Sequence, residues 1–152
     1  MDWIELFKGF LKNDLSGRSL EFYDPITEAK LKKIMEVTEI EISGDLLDLL
    51  LQTDGIKQVN DSYWVYSSEQ IIKTYIMTQV YFEGTEYEGS RPWLFFSGDG
   101  CGDYFAYEVN NGSIISPQIG FFEPISPDKY RIVAPDLFTW ALKWHTDTLA
   151  IY

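Results

Sequence analysis

An α+β domain, with helices flanking a mixed, mostly antiparallel sheet, is the fold class this sequence predicts, and three observations predict it. Apolar residues recur at spacings of three and four near both ends of the chain, the period of amphipathic helices. Between residues 92 and 123 the period is lost and short runs rich in aromatic and β-branched residues take over, as strands require. Within that stretch Asn110-Asn111-Gly112 is a hairpin signal, because Asn-Gly accepts the positive φ angles of a tight turn between twisted strands.

In chain order, Trp3, Ile4, Phe7, Phe10 and Leu11 line one face of a short first helix, with Asp2 placed to cap it. Asn13 to Asp24 has little period and reads as a connection. A second helix starts at Pro25 to Thr27, where proline suits a first turn and Glu28 meets the positive end of the dipole; its apolar stripe is Ile26, Leu31, Ile34, Met35 and Val37. Ser43-Gly44-Asp45 opens a third, strongly apolar helix, Leu46 to about Thr53, which Asp54-Gly55 closes. A strand is expected around Tyr63-Trp64-Val65-Tyr66. Ser67-Ser68-Glu69-Gln70 then caps a fourth helix, whose Ile71, Ile72, Tyr75, Ile76, Gln79 and Val80 carry it to about Phe82.

Glu83 to Pro92 is polar and acidic with two glycines, the longest loop signal. Strands follow at Pro92–Phe96, Tyr104–Val109 and Ser113–Ser116, with a further candidate at Gly120–Glu123. The last helix begins after Pro135 and runs from Asp136 through Trp144 to about Leu149. No repeat or linker divides the chain, and 152 residues suffice for one domain with a core of its own.

Composition narrows function. Twelve Lys and Arg against twenty-four Asp and Glu give a formal net charge of −12, which repels nucleic acid and anionic lipid and would steer a basic partner. Both halves are acidic, with nine bases and seventeen acids through Arg91, then three and seven. No stretch approaches the roughly 18 apolar residues of a membrane span. The acidic start and the interrupting Lys8 and Lys12 do not read as a secretory signal. One cysteine, Cys101, allows neither an internal disulfide nor a cysteine metal cluster, and a reducing, cytoplasmic setting is expected.

Catalytic and cofactor chemistry finds little support. Gly98-Asp99-Gly100-Cys101-Gly102-Asp103 is no phosphate cradle, since a strand rather than a helix follows and no Lys is near; it lacks the alternating acids of a calcium loop. A glycine-rich turn between strands is the expected role. A Cys101 and His145 thiol dyad would need the two to meet, and His145 near a helix C-terminus is placed to complement the dipole as an imidazolium. Surface aromatics among acids are a better prospect, because they anchor a basic partner through cation–π contacts. The candidate partner-binding residues are Glu83, Glu86, Tyr87, Glu88, Trp93, Asp99 and Asp103, with Tyr81 and Phe82 beside them.

The apolar helix Leu46–Leu51 with Asp54-Gly55, the strand residue Trp64, the turn-strand Ser97-Gly98-Asp99-Gly100-Cys101-Gly102-Asp103-Tyr104-Phe105-Ala106-Tyr107 and the helix Asp136–Trp144 come in an order that resembles the SUKH superfamily of Smi/Knr-like proteins. Ser43-Gly44 departs from the usual Leu-Pro before the apolar helix, and Asp54-Gly55 from a frequent Asn-Gly. The resemblance covers about residues 25 to 149, so residues 1–24 are expected to form an N-terminal helix and connection packed on a Smi/Knr-like domain of residues 25–152. It implies no catalytic motif and no cofactor. It further implies an immunity protein that neutralises a cognate bacterial toxin, often a nuclease with a basic cleft, or else a regulatory scaffold domain of the same superfamily.

Overall fold

The computed structural model describes residues 1–13, 15–90 and 92–151. Among the described residues five α-helices, α1 (Trp3–Phe10), α2 (Glu28–Thr38), α3 (Gly44–Leu50), α4 (Ser68–Phe82) and α5 (Leu137–His145), pack around two antiparallel sheets. The smaller sheet joins β1 (Leu20–Phe22), β2 (Ile56–Gln58) and β3 (Tyr63–Val65) in that order. The larger orders β4 (Trp93–Gly98), β5 (Tyr104–Asn110), β7 (Ile119–Phe122) and β8 (Arg131–Ala134), with the two-residue β6 (Ser113–Ile114) on β5. The fold is α+β, and the one parallel element among the described residues is an isolated bridge between Glu41 and Ser113.

Local chemistry sets the helix starts. Asp2, Thr27, Ser67 and Asp136 each accept a backbone N–H of the first turn, relieving a donor the helix cannot satisfy itself. Helix α3 stops at Leu50 with Leu51 as its C-cap, short of the expected Thr53, so Asp54-Gly55 does not close it but links the turn after α3 to α4. The buried Asp54 carboxylate accepts the Ser68 N–H at 2.7 Å and the Ser68 hydroxyl at 2.8 Å, so it holds the start of α4. Gly55 has φ +93°, and a Cβ there would stand 2.7 Å from the Ser67 nitrogen, so only glycine lets the two segments touch.

The sheets meet at a seam where Tyr66 N–H donates to the Phe96 carbonyl at 2.8 Å and the Ser97 hydroxyl to the Trp64 carbonyl at 2.7 Å. Strand alternation then builds two apolar layers. Leu94, Phe96, Phe105, Tyr107 and Phe121 face the main core, where Trp140 of α5 lies 4.9 Å from Phe96 and 5.3 Å from Phe105 between ring centroids. Trp93, Phe95, Ala106 and Phe122 face the other way, beneath Phe82 of α4, Tyr87 and Tyr130. Tyr130 lies flat on Gly120, where a Cβ would meet its ring at 2.1 Å.

Helix α1 belongs to the main core. Trp3 and Phe7 are buried in it, Trp3 Nε1 donates to Asp48 at 2.9 Å, and Trp3 N–H donates to Gln52 Oε1 at 2.8 Å.

Several elements differ from the sequence reading. The connection Asn13–Asp24 contains β1, and β2 and β8 were not foreseen either. Helix α5 ends at His145, with Asp147 at φ +56° turning the chain, rather than near Leu149. Helix α4 spans the expected residues but is rotated: Ile71, Thr74, Thr78 and Phe82 face inward, whereas Ile76 and Val80 face out. Met35 of α2 is exposed as well. No described helix is long and apolar enough to cross a membrane.

Candidate functional site

The seven candidate residues fall into two groups, set at opposite ends of β4. Trp93 begins that strand and Gly98 ends it, five residue steps or about 17 Å apart in extended chain.

The first group is the loop after α4. Glu83, Glu86 and Glu88 are exposed, and Tyr87 is half-buried among them. Trp93 does not join them at the surface. It is 7% exposed, packed against Phe82, Tyr87, Phe122 and Tyr130 at centroid distances of 5.8, 5.0, 4.8 and 5.2 Å. The expectation of a surface tryptophan fails because β4 turns its odd positions onto the second apolar layer. Trp93 instead supports Tyr87 from beneath.

The Tyr87 hydroxyl donates to Asp128 at 3.3 Å, which ties the loop to the 3-10 turn Pro127–Lys129. Within the loop, Gly84 N–H donates to Glu88 at 3.3 Å, and the Thr85 and Ser90 hydroxyls donate to the Phe82 and Tyr87 carbonyls. The loop is thus an ordered acidic projection. Desolvation, then the carboxylates of Glu86 and Asp128, push the Tyr87 hydroxyl above its ordinary range.

The second group surrounds the glycine-rich turn between β4 and β5. Asp99 Oδ1 accepts the N–H groups of Cys101 at 2.7 Å and Asp103 at 3.1 Å, so one carboxylate oxygen serves the turn itself. The pairing of Tyr104 with Phe122 carries Asp103 alongside Glu123 at the next position. Burial first, then Asp99 and Glu123, raise the Asp103 carboxyl above its ordinary value, while Arg131 opposes the rise. Arg131 pairs with Glu123 at 3.1 Å.

Sequence reasoning missed Glu123 and Asp128, one in each group. Glu123 could have been found from the β5–β7 register, but the intervening β6 hides that pairing. Asp128 reaches Tyr87 across 41 residues, and no local pattern signals such a contact.

Cys101 and His145 do not form a dyad. Cys101 is exposed on the turn. His145 stacks on Trp64 at 4.0 Å and also touches Phe7, Phe10 and Trp140. Its Nε2 is buried without a hydrogen-bond partner, and burial, aided by Arg18, lowers its pKa from 6.5 to about 3. The ring is therefore a neutral core member rather than an imidazolium answering the helix dipole. Among the described residues no group of three or more His, Cys, Asp or Glu is placed to hold a metal ion.

Nothing among curated proteins matches the chain. A family match spans residues 25–143, from the residue before Ile26 into the last turn of α5, and includes both acidic groups, while α1 and β1 lie ahead of it. With the order of elements, the Asp54-Gly55 junction and the glycine-rich turn all inside that span, the chain belongs to the SMI1 / KNR4 family (SUKH-1).

Proposed function

We propose that this protein is a non-catalytic, cytoplasmic immunity protein that binds and neutralises a cognate bacterial toxin, a nuclease with a basic surface. Family membership supports the immunity type of function and a protein partner. The observation that carries the reading is the ordered acidic loop: Glu83, Glu86 and Glu88 project around a Tyr87 that is braced by Trp93 below and Asp128 beside it. Carboxylates held in place lose little freedom on binding and can stand where phosphates would lie in a nuclease cleft. Asp99, Asp103 and Glu123 supply a second acidic patch for the same basic partner. Mutual repulsion of these acids is relieved when cations approach, which favours association. Under this reading the protein uses no cofactor and does not contact nucleic acid or membrane directly.

The test is capture of a partner by tagged protein, followed by affinity measurement across ionic strength. A basic toxin should be recovered, bound more weakly at higher salt, and Glu86→Lys with Glu88→Lys should weaken it at least about tenfold, mostly through the on-rate. Recovery of a signalling partner whose affinity ignores those charges would instead support the regulatory scaffold function.

A further inference from the structure

Between the buried Ile71 and Phe82, the middle of helix α4 is amphipathic in the reverse sense. Its inward face carries Thr74 and Thr78, which are 2% and 0% exposed, while Ile76, Met77 and Val80 on the outward face are 56%, 48% and 63% exposed. The inward threonines are locally satisfied: Gln70 donates to Thr74 at 3.3 Å, and the Thr78 hydroxyl donates to the Tyr75 carbonyl at 3.1 Å. Nothing in the fold therefore requires the apolar residues to face out. Exposed apolar stripes of this kind mark interaction surfaces.

Ile76 and Met77 of that stripe, with Ile72, floor a groove of about 640 Å³ between α2 and α4. The rim reverses the sign of the whole chain. Lys30, Lys33 and Lys73 stand against the single acid Glu69, in a protein with twice as many acids as bases. Lys30 is shared with Asp54 at 3.5 Å, while no ion pair within 4.0 Å engages Lys33 or Lys73 among the described residues.

We propose that this groove is a second interface, and that it takes an acidic amphipathic helix of a partner protein, with apolar residues at i, i+3, i+4 and i+7 on the floor and carboxylates on the lysine rim. A groove between two helices suits that shape. The lysines decide the occupant's charge. A second copy of the chain laid on the same groove about a two-fold axis would set lysine against lysine, so self-association is disfavoured here. The protein then has two faces of opposite preference: carboxylates at the ends of β4 for a basic partner, and the α2/α4 groove for an acidic one.

The experiment uses the full chain and two labelled synthetic peptides, both helical with leucines at i, i+3, i+4 and i+7, one with glutamates elsewhere and one with lysines. The glutamate peptide should bind, and Ile76→Glu or Met77→Glu should weaken it at least about tenfold. Lys33→Glu with Lys73→Glu should weaken it and flatten its salt dependence. Both apolar positions are solvent-exposed, and circular dichroism of each variant checks the fold. Equal binding of the lysine peptide, no binding of either, or binding indifferent to Ile76→Glu would overturn the proposal. So would a concentration-dependent dimer that Ile76→Glu dissolves, which assigns the groove to a second copy. Binding to phosphatidylserine vesicles lost in the lysine variants would assign it to lipid and overturn it equally.

Discussion

Replacing Asp54 by alanine isolates the contact by which the turn after α3 holds the start of α4. In the native chain one buried carboxylate accepts both the Ser68 N–H at 2.7 Å and the Ser68 hydroxyl at 2.8 Å, with Lys30 at 3.5 Å. Alanine removes a capping acceptor and strands a backbone donor in a site that is 4% exposed, for a combined cost of about 3 kcal/mol. In a chain of this length that lowers Tm by roughly 6–12 °C. Asp54→Asn should cost only about 1 kcal/mol, because the amide oxygen can still accept the Ser68 N–H and the rotatable hydroxyl can turn to accept from the amide nitrogen. Thermal and urea unfolding followed by circular dichroism measure all three proteins. An alanine variant within 1 kcal/mol of the native chain, or an asparagine variant as unstable as alanine, would refute the capping account.

Gly120→Ala should drive Tyr130 off the sheet, since the added Cβ meets its ring at 2.1 Å. Stability should fall by about 1–3 kcal/mol, with little further loss on adding Tyr130→Ala, and Trp93 fluorescence should shift to the red as its cover leaves. Acid should expose the burial of His145. Its folded pKa is lowered from 6.5 to about 3, so the unfolded chain takes up the proton first. The stabilisation is complete above pH 6.5 and is lost as pH falls toward 3, by at most about 1.4 kcal/mol per unit. The raised Asp103 carboxyl acts in the opposite direction, favouring the folded state as pH falls from just above its ordinary value. Subtracting the pH profile of His145→Phe separates the two, and a variant whose profile matches the native one would rule out the histidine as the cause.

Helix α4 shows where sequence reasoning succeeds and where it stops. Its start was legible because Ser67 accepts the Gln70 N–H through a local contact three residues long. Its buried face was not, because Ile76 and Val80 are more apolar than Thr74 and Thr78, and periodicity assigns the apolar stripe to the core. The β4–β5–β6 region was legible through its aromatic runs and the Asn111-Gly112 turn, at φ +51° and +76°. The strands β1 and β2 escaped, since three residues show no alternation and Leu20 finds its partner Gln58 only across the whole α2–α3 segment. At the candidate site, the exposed acids of the 83–90 loop were read from composition and glycine content. Trp93 was misplaced outward because an aromatic beside a polar loop gives no local sign of which sheet face it will take.

The contacts of α1 carry a consequence for synthesis. Phe7 and Phe10 pack on His145, and Trp3 is held by Asp48 and Gln52. A chain emerging from the ribosome can seat Trp3 once Asp48 and Gln52 are out, yet the ring on which the other end of the same helix rests, His145, lies 135 residues beyond Phe10. Until that ring emerges Phe7 and Phe10 have no complete site. The strand pairs β4–β5–β7–β8 can assemble from neighbours within residues 93–134 during that interval, and closure of α5 over them then seals α1 in the same event. The time taken to synthesise residues 11–145 thus sets how long an aromatic helix remains open to chaperones.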